Sequence, residues 1–235
     1  MNLRRSVSLA VAAVSLVAAL RGTARAEAPT SDGASRPTTP TVTKAPSAPA
    51  TAGKRSHDGF FLRLSLGAVY LHESWSPAGG SPGAEYGGGG TSLEAAIGKS
   101  VRPGLIVGGL WQFVAVTDPN ESYLGTTYVV DATYRLLDVV AGFVDYYPRP
   151  RRGFHLGGSA GLLVASNIDR MYGALTTSWG AALSVRGGYD VFFSSRWSLG
   201  ALAQLAGYRY ATTEASVSSV SYGLLPTLAL ALTFN

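Results

Sequence analysis

The chain has 235 residues, of which 46% are hydrophobic and only 14% charged, and it contains 29 glycines and no cysteine. The lack of cysteine excludes disulfides, thiolate metal sites and a lipid-anchoring cysteine, and the low charge disfavours an ordinary helical enzyme. The formal net charge of +5 does not indicate nucleic-acid binding, because four of the basic residues lie in a targeting segment at the N-terminus.

Residues 1–26 have the organisation of a cleaved secretory signal. Arg4 and Arg5 form a positive n-region, an apolar core of about 15 residues follows, and Ala24-Arg25-Ala26 supplies small residues for cleavage. The core is short for a membrane-spanning helix, which needs about 20 apolar residues, and an uncleaved anchor is the alternative. Cleavage before Glu27 leaves 15 basic and 14 acidic residues, a net charge of only +1.

Residues 27–58 are rich in Pro, Thr, Ala and Ser and contain almost no large apolar side chain. Such a segment cannot bury enough surface to offset the entropy lost on ordering, so we predict a disordered periplasmic leader. Its simplest role is that of a spacer. A contact with the cell wall through Lys44, Lys54 and Arg55 is the alternative.

Residues 59–235 contain eight segments in which large apolar residues alternate with small or polar ones, and turn-rich stretches separate them. The closing segment is the clearest, since Leu228, Leu230, Leu232 and Phe234 alternate with alanine and threonine. This pattern predicts an all-β fold, an eight-stranded antiparallel up-and-down transmembrane β-barrel. The predicted strands cover about 60–71, 91–101, 105–116, an undefined start to 147, 154–165, 178–192, 197–208 and 222–235.

The charged residues within these segments identify the inner face. Five of them share the face that carries the small residues: Arg63, Glu94, Asp145, Arg186 and Asp190. Gln112, His155 and Gln204 lie on the same face. A charge facing lipid costs roughly 2–4 kcal/mol at the bilayer midplane, so this face is predicted to line the lumen. Lys99 and Asp138 fall on the apolar face instead.

The connections between the segments alternate in length. Those at 102–104, 148–153 and 194–196 are short and rich in arginine. Those at about 75–90, 117–134, 167–177 and 211–217 are longer and carry most of the acids. Short periplasmic turns and long outer loops are typical of outer-membrane barrels, so both termini are predicted to be periplasmic.

With these features the chain resembles the small eight-stranded outer-membrane barrels of the OmpA/OmpX and OmpW type, over residues 59–235. The segment Phe143-Val144-Asp145-Tyr146-Tyr147-Pro148, followed by 153–158, is similar to a strand-turn-strand unit of such proteins. The resemblance implies a monomer in the bacterial outer membrane, inserted by the barrel-assembly machinery and surrounded by lipid and lipopolysaccharide. Such barrels commonly end on an aromatic residue, whereas here Phe234 is followed by Asn235.

The lumen of an eight-stranded barrel is just wide enough to be filled by side chains. We therefore predict a polar plug, in which His155 hydrogen-bonds to Asp145 on the neighbouring strand. Its members are Arg63, Glu94, Asp145, His155, Arg186 and Asp190. A gated ion path, in which Arg186 exchanges carboxylate partners, is the alternative. The histidines have no second ligand at metal spacing, so no metal, cofactor or catalytic residue is expected.

The sequence favours a structural or surface-interaction role without enzymatic activity. The first alternative is a narrow channel for small or hydrophobic solutes, which a lateral opening or a continuous apolar lumen would favour. The second is a lipid A-modifying enzyme, because His72 and Ser74 resemble the His-x-Ser of lipid A deacylase barrels. In that interpretation Glu73 or Glu85 would orient the histidine.

Overall fold

The computed structural model describes residues 59–78, 82–129, 133–150, 152–169, 175–214 and 217–235. The signal and the leader predicted for 1–26 and 27–58 lie outside these residues. The described residues form ten β-strands: β1 (Phe60–Pro77), β2 (Ala84–Arg102), β3 (Leu105–Thr117), β4 (Asn120–Tyr123), β5 (Thr126–Val129), β6 (Thr133–Tyr146), β7 (Phe154–Asp169), β8 (Leu175–Phe192), β9 (Trp197–Glu214) and β10 (Val217–Phe234). No helix in these ranges is long and apolar enough to cross a membrane.

Eight of the strands close into an antiparallel barrel. Among these eight strands, β2 pairs with β3, β3 pairs with β6, and β6 to β10 pair one after another in chain order. β1 pairs with both β2 and β10 and so closes the barrel. The closing seam matches Leu62 with Phe234 and Leu66 with Leu230. Pairing of the last strand with the first leaves no free barrel edge, which confirms the predicted eight-stranded antiparallel fold.

The two faces of the barrel wall differ in the predicted way. Large apolar side chains point outward and remain exposed, for example Leu66 at 59%, Leu228 at 71% and Leu230 at 66%. The charged and amide side chains predicted for the lumen are buried, whereas Lys99 and Asp138 lie on the outward face. A closed barrel covered by exposed leucine, valine and aromatic residues matches lipid as its surroundings, not water.

Exposed aromatic residues mark the two limits of this apolar face along the strands. Phe60 and Tyr70 on β1, and Tyr189 and Trp179 on β8, are each separated by ten residues along their strand. Ten residues span about 33 Å along a strand, which is about 25 Å along the barrel axis at a tilt of about 40°. This is the height of the apolar band between the aromatic girdles of outer-membrane barrels.

The strands are longer than predicted at one end of the barrel. β1 has 18 residues, β2 has 19 and β10 has 18, although about 9–11 suffice to cross a membrane. Most of the sequence predicted as long loops is therefore strand. Within the second long connection, β4 and β5 form a hairpin that pairs with the end of β2. At this end the strands therefore stay paired beyond the length that is needed to cross the membrane.

The opposite end of the barrel has the predicted short turns. Pro103 and Gly104 join β2 to β3, with Gly104 at φ +78°, and residues 193–196 join β8 to β9. We call this the short-turn end, and the end with the extended strands the long-connection end. The first residues of β1 and the last residues of β10 lie at the short-turn end.

Candidate functional site

Two arginines and two carboxylates meet in the lumen, toward the short-turn end. Arg63 Nη1 donates to Asp145 Oδ2 at 2.6 Å, and Arg63 Nη2 donates to Glu94 Oε1 at 3.0 Å. Arg186 Nη1 donates to both oxygens of Glu94, at 3.0 and 3.1 Å. We call Arg63, Glu94, Asp145 and Arg186 the short-turn cluster. Its two positive and two negative charges balance, as charges removed from water require.

Arg186 lies between the two carboxylates. Its Nε is 3.9 Å from Asp145 Oδ1, and neither atom has a hydrogen-bond partner. The ring of Phe143 lies beside both arginines, at 5.8 Å from the guanidinium carbon of Arg63 and 5.7 Å from that of Arg186. Each guanidinium faces the negative surface of this ring. The ring therefore favours the presence of two positive charges in one narrow space.

Asp190 and His155 are buried apart from this cluster. His155 Nδ1 is 3.2 Å from the carbonyl oxygen of Gly153 and 3.7 Å from Asp190 Oδ2, so the predicted bond to Asp145 is wrong. The Tyr147 hydroxyl donates to Asp190 Oδ2 at 2.9 Å. Burial and the neighbouring carboxylate raise the pKa of Tyr147 well above the usual 10.0, which keeps the phenol protonated as a donor.

Glycines make room for several of these polar side chains. A Cβ added to Gly157 would lie 1.9 Å from Asp145 Oδ1, and one added to Gly200 would lie 2.1 Å from Asp190 Oδ1. Each of these glycines is the direct partner of that acid on the next strand. Gly188 opposite His155 and Gly223 opposite Tyr208 are placed in the same way. The polar side chains therefore lie flat against the barrel wall.

A second polar group, absent from the sequence prediction, occupies the lumen toward the long-connection end. The buried Glu73 carboxylate accepts hydrogen bonds from Arg135, from the Tyr208 hydroxyl at 2.6 Å and from the Tyr210 hydroxyl at 2.7 Å. Arg135 also donates to Asn167. We call Glu73, Arg135, Tyr208 and Tyr210 the long-connection cluster. The alternation predicted for β1 stops at Leu71. Extending it by two residues places Glu73 on the inner face, so the sequence already contained the pattern that locates this carboxylate in the lumen.

Apolar and uncharged polar side chains together fill the lumen between the two clusters. Leu71, Leu137 and Leu163 are each 0% exposed. Buried Gln112 donates to Ser92 Oγ at 3.0 Å and accepts a hydrogen bond from Gln204 at 3.1 Å. Ten residues separate Arg63 from Glu73 on β1, and ten separate Arg135 from Asp145 on β6, which corresponds to about 25 Å along the barrel axis. The described lumen therefore has ion pairs toward each end and a mixture of apolar and uncharged polar side chains between them.

The residues of the His-x-Ser motif lie on the outward face. His72 is exposed and Ser74 is half-buried, while Glu73 between them points into the lumen. Glu73 therefore cannot orient His72. Glu85 is exposed on β2, directly opposite Ser74 in the strand pairing. Further around the wall, the Trp111 Nε1 group donates to the outward carboxylate of Asp138 at 3.1 Å.

Within the described ranges, no group of three or more His, Asp or Glu side chains could hold a metal ion. The closed wall, the apolar outward face and the filled lumen together define the class of this protein: a small transmembrane β-barrel. The sequence matches no family model and no curated protein.

The chain is similar to several solved structures. Neisserial surface protein A is 15% identical, with a TM-score of 0.45 over 75% of this chain and 97% of its own. OprG from Pseudomonas aeruginosa is 12% identical, with a TM-score of 0.45 over 78% and 99%. The outer membrane protease OmpT from Escherichia coli is 10% identical, with a TM-score of 0.44 over 75% and 97%. Similarity at this level concerns architecture alone, and no activity follows from it.

Proposed function

We propose that the protein is a structural and surface-contact barrel of a Gram-negative-type outer membrane, that it acts as a monomer without enzymatic activity, and that its lumen is closed. The observation that carries the proposal is the filled lumen, where apolar and uncharged polar side chains pack between two ion-paired clusters. An ion crossing it would have to break buried ion pairs and displace the close-packed side chains between them. The same filling argues against the narrow-channel alternative.

In this proposal the short-turn end faces the periplasm, where the barrel-assembly machinery and the predicted leader would lie. The long-connection end then projects beyond the outer leaflet, which consists of lipopolysaccharide. Strands of 18 and 19 residues and the β4–β5 hairpin support the barrel rim there. A rim built of paired backbone presents a stiff surface for contact with external ligands.

Two measurements test the proposal. The protein should appear in outer-membrane fractions and migrate faster on gels before heating than after, as folded barrels do. Purified protein in planar bilayers should give no steady conductance. Absence from the outer-membrane fraction would overturn the location, and a steady nanosiemens-scale conductance would overturn the closed lumen.

The pairing of β1 with β2 favours one second candidate, a lipid-modifying hydrolase. His72, Ser74 and Glu85 share the outward face at the level where lipid head groups lie, and Glu85 is the partner of Ser74. A histidine that takes the serine proton, itself oriented by a carboxylate, can generate a nucleophile for an acyl ester. Purified protein incubated with lipid A tests this by mass spectrometry. Release of fatty acid that His72→Ala abolishes would support it, and unchanged lipid A with the wild-type protein would end it.

A further inference from the structure

A long apolar groove runs along the outward face of the barrel across β8, β9, β10 and β1. Small outward residues form its floor, namely Ala68, Gly187, Ala201 and Ala203, while leucines and tyrosines form its sides. It consists of two adjoining grooves of about 680 and 730 Å³ that share Ala68, Gly187, Ala203 and Leu228. The two therefore form one continuous depression in the wall.

The groove is short enough to lie within one lipid leaflet. On β1 the groove runs from Tyr70 to Leu66, and on β10 it runs from Pro226 to Leu230. Each run covers four residue steps, or about 13 Å along the strand, which is about 10 Å along the barrel axis at a tilt of about 40°. Half of a hydrocarbon core of about 30 Å is about 15 Å.

A positively charged side chain lies just beyond the end of the groove that is nearer the long-connection end. Arg209 and Tyr222 are exposed partners on β9 and β10, four residues beyond the groove residues Leu205 and Pro226 on the same strands. The Arg209 guanidinium carbon lies 5.5 Å from the centre of the Tyr222 ring. None of the described carboxylates forms a salt bridge with it. Stacking on the ring orients the guanidinium and leaves its N–H groups to bind an anion.

We propose that this groove and Arg209 form a docking site for lipid A, the phosphorylated and acylated glycolipid of the outer leaflet. A lipid phosphate accepts hydrogen bonds from Arg209, and an acyl chain lies in the groove below it. Charge complementarity selects this occupant, because an acyl chain alone does not require a cation above it. Lipid A is chosen over a phospholipid because the inference rests on the proposed orientation, which places this end in the lipopolysaccharide leaflet.

The test measures lipid retention by native mass spectrometry on full-length protein in neutral detergent. Hexa-acylated lipid A should bind as one retained molecule per barrel. Dephosphorylated lipid A should bind more weakly by about tenfold or more, because a charge-assisted hydrogen bond is lost. The Arg209→Gln variant should lose the same factor for lipid A and discriminate poorly between the two lipids.

Two matched variants separate the site from general effects of charge and folding. Lys99→Gln removes an exposed outward cation at the other end of the barrel and should bind lipid A as the wild type does. Ala203→Trp fills the groove floor and should lower binding without changing heat-dependent gel migration, and Ala68→Trp provides a second filling variant. Equal losses in Arg209→Gln and Lys99→Gln, full binding by both filled variants, or tighter binding of phosphatidylglycerol than of lipid A would each overturn the proposal. Outer-membrane fractionation and conductance do not depend on this site, so its failure would leave the proposed function standing.

Discussion

Each buried charge in the lumen is held by a specific partner. Arg63 bonds to both Glu94 and Asp145, and Arg186 shares Glu94 with it. Buried pairs of this kind add little net stability compared with apolar packing, but removing one partner leaves an uncompensated charge in a low dielectric. The residues of the short-turn cluster should therefore tolerate single substitutions poorly.

Arg63→Met should lower the free energy of unfolding by about 3–5 kcal/mol, because it leaves Glu94 and Asp145 with one cation between them. Urea unfolding of the barrel in detergent, followed by tryptophan fluorescence, measures the change. Lys99→Met is the matched control, since Lys99 is exposed on the outward face, and it should change stability by less than about 0.5 kcal/mol. Equal effects of the two variants would show that the buried pairs are not needed.

Gly157→Ala should destabilise the barrel by about 1–3 kcal/mol, because the new Cβ meets Asp145 Oδ1 at 1.9 Å and displaces it from Arg63. The same unfolding assay applies. Gly89→Ala lies in another strand with no atom within 4 Å of its added Cβ, which makes it the control. A neutral Gly157→Ala would mean that Asp145 has another position of equal energy.

At the scale of strands, the closing seam has one weak point. The pairing of β1 with β10 is interrupted between the pairs Val69–Thr227 and His72–Leu224, where Pro226 lies opposite Tyr70. Proline has no N–H to donate to the strand ladder. The wall is therefore held less firmly here than at the seams whose pairing is continuous.

Pro226→Val should restore a ladder hydrogen bond and raise stability by about 1 kcal/mol. Hydrogen exchange at the amides of Tyr70 and Leu71 should become slower as the seam tightens. Leu224→Val, on the same strand where pairing with His72 is intact, should leave that exchange unchanged. Faster exchange in Pro226→Val would mean that the interruption has another cause.

Among the described residues, the β4–β5 hairpin pairs with the end of β2 alone and makes no part of the closed wall. Replacing residues 120–129 with a short Gly-Ser linker should leave the barrel folded, because long surface insertions contribute little to closure. Heat-dependent gel migration and the urea midpoint measure this. Loss of the fast-migrating band would place the hairpin among the elements required for folding.

The sequence predicted the barrel because period two and the position of charges agree over many strands, as Arg63, Glu94 and Arg186 illustrate. It failed where a strand continued past the expected membrane limit, so the alternation was not followed to Glu73 or Tyr210. The partner of His155 could not be predicted either. Which side chains meet across a lumen depends on strand tilt and register, and neither is contained in the alternation of one strand.

At the scale of the whole molecule, the lumen is closed by the two ion-paired clusters and by the uncharged side chains that pack between them. Removing the short-turn cluster alone should therefore not open a path. Arg186→Ala in planar bilayers should remain without steady conductance, because buried side chains such as Leu71, Leu137 and Leu163 still fill the lumen between the clusters. Conductance in this variant, absent from the wild type, would instead support the gated ion path governed by Arg186.

The glycines opposite buried polar side chains have a consequence for how the barrel reaches one arrangement. A strand that slips by two residues keeps its apolar face outward, so alternation alone cannot reject it. Four consecutive seams, from β6–β7 to β9–β10, each contain one bulky polar residue matched to one glycine. A two-residue slip would set Asp190 against Ser198 or Leu202 in place of Gly200, where a side chain already stands. These four pairs fit together in one register only. The positions of the four glycines, where side chains are missing, therefore encode the shear of the closed barrel.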